Sequence, residues 1–389
     1  MKRISLFLLL FLLLKATVMY SQDGHPETNF RIVPVSPNAA SLGTYGLIPT
    51  DNYVGQARIS IPIYEIDLDG KKFPIALSYH TDGTRVAQEA TWIGLGWTLQ
   101  AGGCVVRQVQ GTDDFAARGC YNLTDAPWLT NPRFEVTDQN LEKYMGYFKG
   151  DYDAEPDMFY FNAGGHSGSM YFDVLKNNRQ LNAVPTIQTQ EKVVKMVYNT
   201  SNKTWTMTDL EGYVYSFSTK EITYYFLNTI DFFQTDITRS HIFPYYNEPQ
   251  IVTAWMLDSV TSPNGGKITF SYKKESIFTP ISTTEDVISL SKIVNGQLSS
   301  QSPQYFTNKF NYNYSYSKIE QWTLSAITFE GGKVEFGTTD REDIESAETG
   351  KKVQKLSSIK VSDTAGNLIK TTMLEYKYCL LYTSDAADE

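Results

Sequence analysis

Ala57-Arg-Ile-Ser-Ile-Pro-Ile-Tyr-Glu-Ile-Asp-Leu68 runs into Asp69-Gly70 and then into Phe73-Pro-Ile-Ala-Leu-Ser-Tyr79. Apolar side chains occupy every second position from Ala57 to Ile63. That period belongs to a strand with one buried and one exposed face. Pro62 has no N–H for a central ladder, so it assigns the first run to a sheet edge or a bulge. Asp-Gly between two such runs signals a hairpin.

The same unit recurs along the chain. Asp157–Phe161 and Ser169–Asp173 flank the glycine-rich Asn162-Ala-Gly-Gly-His-Ser-Gly168. Lys192–Tyr198 and Thr204–Thr208 flank a polar turn, and Asp209-Leu-Glu-Gly212 turns into Tyr213–Phe217. Three imperfect repeats of strand, glycine turn and strand follow. They are Leu257–Val260 with Lys267–Tyr272, Leu324–Ile327 with Lys333–Phe336, and Leu356–Val361 with Leu368–Lys370. Their intervals differ, so no solenoid period is present. Helical periodicity is confined to Leu141, Tyr144, Met145 and Phe148, which predict one short amphipathic helix near 138–149. The expected fold is all-β: antiparallel hairpins and meanders in packed sheets, with little helix.

Residues 1–22 combine a basic start with an apolar run of Leu, Phe and Ile, broken by Lys15 and ending in Ser21-Gln22. This is the pattern of a secretory signal peptide, too short for a membrane span. It predicts a secreted or cell-surface protein with no transmembrane helix in the mature chain. Residues 23–55 read as an extended leading segment, 56–175 as a first β-region and 176–380 as a second. The tail 381–389 abandons the strand pattern and reads as non-native, so the natural chain is expected to continue beyond it.

The net charge is −9 over 389 residues, and Lys2, Arg3 and Lys15 are the charged residues of the first 22. An acidic mature chain excludes nucleic acid as the main partner, because phosphate binding needs a basic face. Four histidines and three cysteines argue against a multi-ligand zinc site or a dense disulfide scaffold. No glycine-rich stretch has the strand–loop–helix context of a phosphate cradle, and no cofactor is implied.

Candidate chemistry is sparse. Gly165-His-Ser-Gly-Ser169 fails the nucleophile-elbow pattern, because its last position is Ser and strands flank it on both sides. It reads as a hairpin loop in which His166 lacks an orienting acid. Asp151-Tyr-Asp-Ala-Glu-Pro-Asp157 spaces hard oxygens as calcium prefers, but lacks the glycine and glutamate of an EF-hand. It reads as a solvated acidic loop. Asp113-Asp114 and Asp340-Arg-Glu-Asp343 read as turn or surface charges. His80 ends a strand and reads as a loop-edge hydrogen bonder. Cys104 and Cys120 either pair, stabilising by about 3 kcal/mol in the chain-entropy model, or stay as two buried thiols. Trp92 and Trp97 read as core packing rather than as a ligand platform.

The block from Phe73-Pro-Ile-Ala-Leu-Ser-Tyr79 through Trp92-Ile-Gly-Leu-Gly-Trp-Thr-Leu99 resembles the opening of secreted RHS/YD-repeat proteins of Bacteroidetes. More distantly it is similar to the amino-terminal region of insecticidal-toxin B components and related Salmonella virulence proteins. Pro74, Leu77, Tyr79, Gly94, Leu95, Gly96 and Trp97 carry the match. Ser36–Gly43, Ile59–Tyr64, Glu155–Asn162 and Ser262–Gly265 extend it over nearly all of the mature chain. The resemblance implies part of a β-shell: a non-enzymatic piece of an exported scaffold that carries or encloses a toxin or adhesive domain. Its implied partners are a downstream RHS shell and effector domain, with surface glycans or other cells as further contacts. This sequence lacks downstream YD repeats, which leaves the cargo open. Two other readings stand beside it: a surface carbohydrate-binding module, and a secreted hydrolase.

Overall fold

The computed structural model describes residues 33–47, 58–80, 88–111, 113–116, 119–121, 153, 155–173, 184–188, 194–230, 237–244, 250–290, 293–294, 297–298 and 307–378. The leader, the helix expected near 138–149, Cys379 and the tail lie outside the described residues.

The first strands are β1 (Arg58–Leu68), β2 (Lys71–His80), β3 (Trp97–Gln100), β4 (Gly103–Gln108), β5 (Met158–Ala163), β6 (His166–Tyr171) and β7 (Thr186–Ile187). Next come β8 (Val194–Asn199), β9 (Thr204–Asp209), β10 (Val214–Ile230), β11 (Phe243–Pro244), β12 (Gln250–Thr261), β13 (Lys267–Phe278) and β14 (Ser282–Leu290). The last are β15 (Ile293–Val294), β16 (Gln297–Leu298), β17 (Thr307–Phe329), β18 (Gly332–Asp340), β19 (Gln354–Ser362) and β20 (Leu368–Met373). All strand pairs described are antiparallel, as the hairpin reading requires.

β1, β2 and β3 form a small sheet in that order. A fifteen-stranded sheet follows the path β20-β19-β18-β17-β10-β12-β4-β5-β6-β7, with β8, β9, β11, β13 and β14 joined to it. Its spine is β17, 23 residues long, which pairs with β10, β13, β14 and β18 along its length. Because β4, β5 and β6 share this sheet with β10 and β12, the boundary drawn at 175/176 divides one hydrogen-bonded sheet rather than two.

β1 is an edge strand with a register shift between Pro62 and Tyr64. The bulge inverts the face expected from the alternation: Ile59 and Ile61 are 47% and 43% exposed, whereas Ile63, Ile66 and Leu68 are buried. An extra residue re-aims every side chain beyond it. The small sheet then lays Ile66, Leu68, Ile75, Leu77 and Leu99 against the large one. There they meet Phe159, Phe161, Trp205, Trp255 and Tyr215 in the main core.

The leading segment departs from its extended reading. Pro37–Leu47 is a helix, α1. Ser36 caps it, its Oγ accepting from the Ala39 N–H at 3.1 Å. Ser-Pro at the N-cap and first helical position is a helix-start signal that the Pro- and Asn-rich composition masked. Among the described residues no helix is long and apolar enough to cross a membrane.

Candidate functional site

The Trp92–Leu99 block knots the small sheet to the far end of the large one. Gly94 and Gly96 take φ +124° and +73°, a left-handed region closed to most side chains. The turn they make is pinned by the Thr91 hydroxyl, which donates to the carbonyls of Gly94 (3.0 Å) and Trp97 (2.7 Å). Trp92 is buried against Phe336, while Trp97 is half-buried on Tyr79 with ring centroids 5.1 Å apart. Leu77 is buried; Pro74 and Leu95 are exposed. Arg341 is buried too, contrary to its surface reading. It bonds the carbonyls of Ala90 (3.1 Å) and Thr91 (3.3 Å) and is balanced by Asp343 at 2.6 Å. The Leu356 N–H donates to the Trp92 carbonyl at 2.8 Å.

A buried charge cluster sits where β4 leaves the sheet. Arg107, inside the otherwise apolar Gly-Cys-Val-Val-Arg run, is 1% exposed. Its Nε donates to Asp157 Oδ2 at 2.8 Å, and its Nη2 donates to both Asp113 and Asp157. The guanidinium lies over the Phe115 ring at 4.8 Å. Asp157 also accepts from the Gln110 N–H at 2.7 Å, and its own N–H donates to Asp114 Oδ2 at 2.7 Å. Within the acidic stretch ending at Asp157, Asp153 and Asp157 are buried, as is Asp114 beside them, whereas Glu155 is exposed. Burial raises Asp114 and Asp157, and each carboxylate repels the other. Arg107 and the Gln110 N–H pull Asp157 back down, and the Asp157 N–H and Arg107 do the same for Asp114. Asp114 is pushed up to about 9 by burial and then by Asp157. Burial also pushes the neighbouring Tyr121 hydroxyl above its ordinary range. Asp114 and the Tyr121 hydroxyl face each other in the interior, and Asp114 Oδ1 and that hydroxyl have no other hydrogen-bond partner among the described residues. Among those residues no His, Cys, Asp or Glu group is arranged to hold a metal.

Four turns meet at a second cluster around Asp209. Its Oδ2 takes Lys71 Nζ at 2.5 Å and the Tyr215 hydroxyl at 3.0 Å; its Oδ1 takes the Glu211 and Tyr213 N–H groups. Burial alone would raise Asp209, but these donors outweigh it and hold the carboxyl below its usual range. Gly164-Gly165 forms the β5–β6 turn, and Tyr213 Oη reaches the Leu68 carbonyl at 3.0 Å. Ser262 Oγ bonds Asp69. His166 does have an acid beside it: its Nε2 lies 3.7 Å from Asp209 Oδ2. Sequence distance concealed that neighbour, which arrives on β9. Ser167 pairs across the hairpin with Asn162, so the glycine-rich stretch is a strand-and-turn, as its failed elbow pattern implied.

Cys104 and Cys120 are both buried, in separate apolar clusters. The structure forms no disulfide between them. Trp205, Trp255, Tyr198 and Tyr215 are fully buried.

No family model matches this chain, and no curated protein matches it. Several solved structures show distant similarity. The crystal structure of TcdB2-TccC3 is 9% identical, with a TM-score of 0.39, over 90% of this chain and 15% of that one. The Photorhabdus luminescens Tc holotoxin pore, with its TccC3-D651A mutation, is 10% identical at TM-score 0.39 over 90% of this chain and 14% of that one. The N-terminal domain of the effector protein SpvB from Salmonella typhimurium strain LT2 is 11% identical at TM-score 0.31 over 82% of this chain and 99% of that one. The chain spans about 15% of the length of the first of these. At such TM-scores the likeness fixes neither family nor activity.

Proposed function

We propose that this chain is a structural, non-enzymatic wall: the amino-terminal part of an exported scaffold of RHS/YD type that carries or encloses a toxin or adhesive domain. One observation carries the reading. Fifteen strands share a single antiparallel sheet, and the small sheet is packed on it through one aromatic core. The charged groups within that wall serve packing. Arg107 is neutralised by Asp113 and Asp157, Arg341 by Asp343, and Asp209 by Lys71. The motif residues Gly94, Gly96 and Trp97 form a knot between sheets. The resemblance of Phe73–Tyr79 and Trp92–Leu99 to the RHS/YD opening supports the same conclusion, and the leader supports export.

The test is to read the gene past the codon for Tyr378 and to screen the purified protein on a polysaccharide panel. YD repeats downstream, with no glycan bound, are the expected result. A stop codon there, or binding to a defined polysaccharide, overturns the scaffold reading, the latter in favour of a carbohydrate-binding module.

A further inference from the structure

Val33–Leu47 belongs to neither sheet. It lies on the face of the large sheet turned away from the main core. Along β4 and β12, Val105 and Trp255 point into that core, while Cys104, Val106, Ala254 and Met256 form a second cluster with Ala39. Alternate residues of a strand face opposite sides, so the segment covers the back. Val33 packs there on Val109 and Ile251.

Its polar fastenings converge on one carboxyl. The Ser36 N–H donates to Glu221 Oε1 at 2.8 Å, and Thr253 Oγ1 donates to the same oxygen at 3.0 Å. Glu221 is 0% exposed, and its Oε2 has no hydrogen-bond partner among the described residues. Elsewhere the segment is held by Thr223 Oγ1 on the Pro34 carbonyl (3.0 Å) and by Asn162 Nδ2 on the Leu42 carbonyl (2.9 Å). Asn38 Oδ1 accepts from the Trp92 N–H at 2.9 Å.

We propose that Val33–Leu47 is a strap whose grip on the sheet weakens as pH rises, because seating it encloses the Glu221 carboxyl where an ionised form is poorly accommodated. An ionised carboxylate presents two oxygens that need donors, and here one of them has none. The positive end of α1 gives partial relief, but burial prevails and pushes Glu221 above its usual range, with Ser36 and Thr253 pulling back. The groups facing it are Ser36 on the strap, Thr253 on β12 and the Cys104 thiol on β4, with Gln321 of β17 nearby on the strap's Asn38. None of these carries a charge at neutral pH. Beyond Gln321 lies Glu275, whose Oε2 is 3.5 Å from the Gln321 amide and whose carboxyl burial pushes up to about 7.

The seated strap holds a proton on Glu221 that the released form gives to water. Release is therefore favoured as pH climbs from the ordinary carboxylate range towards the raised one, by up to about tenfold per pH unit. Two thiols report this directly. Cys104 lies under the strap, whereas Cys120 lies in the main core. The full chain is labelled with iodoacetamide between pH 5 and 9 without denaturant. Each site is quantified by peptide mass spectrometry, and each rate is divided by that of a free thiol at the same pH. The expected result is a normalised Cys104 rate that climbs up to about tenfold per pH unit over part of the range, with Cys120 lagging behind and with E221Q flat. Parallel labelling of the two cysteines, or an unchanged slope in E221Q, overturns the proposal. Should E221Q not fold, the comparison of Cys104 with Cys120 in the unaltered protein decides.

Discussion

Replacing Asp114 by Asn tests whether the buried cluster holds a neutral acid. In the unfolded chain this carboxyl titrates at 3.8; in the fold, burial and then Asp157 push it up to about 9. A raised folded value means that stability is fully present below 3.8 and is lost progressively as pH rises towards 9. The loss per pH unit is about 1.4 kcal/mol, so at pH 7 the native state carries a penalty of about 4 kcal/mol for holding that proton. The amide keeps an oxygen for the Asp157 N–H, now 2.7 Å from Asp114 Oδ2. Its NH2 group stands beside the Tyr121 hydroxyl, which can accept from it. Asp114→Asn therefore stabilises at neutral pH, and its advantage over the unaltered protein widens by about 1.4 kcal/mol for each pH unit between 5 and 8. Urea unfolding followed by tryptophan fluorescence across that range measures this, since total stabilities of about 5–15 kcal/mol leave such a change visible. Parallel pH profiles for the two proteins would refute the neutral-acid assignment.

Further outcomes follow from other sites. Asp157→Ala leaves Arg107 with Asp113 as its remaining carboxylate and its Nε without an acceptor, and costs up to about 3–5 kcal/mol, read as a lowered urea midpoint. Gly164→Ala is more damaging than Gly165→Ala: an added Cβ at the first meets the Tyr215 hydroxyl at 2.3 Å, while at the second it meets nothing within 4 Å. Overpacking adds about 1–3 kcal/mol to the left-handed strain of about 1–2 kcal/mol that the two positions share, and paired thermal melts rank them. Intact mass after alkylation in denaturant without reductant shows Cys104 and Cys120 both modified; a loss of both modifications would restore the disulfide.

The hairpins were legible because their information is local. Asp69-Gly70 between alternating runs places β1 against β2, and Pro62 at an edge or bulge is where β1 proves to be both. The three glycine-turn repeats locate the β12–β13, β17–β18 and β19–β20 hairpins. The lengths of β10 and β17 were not legible, because their far ends are set by partners distant in the chain. The acids at 114, 153 and 157 were misplaced for the same reason. Spacing among carboxylates says nothing of an Arg107 that meets them across a strand and lets them be buried. That Arg107 interrupts an apolar run was the available clue.

Period-two alternation and turn residues, acting through neighbours a few positions apart, made this an all-β chain of antiparallel hairpins. Which hairpins join one sheet, which face α1 covers and which charges lose their water were decided by packing alone. Burial and Coulomb energies depend on distances in space that separation along the chain does not contain.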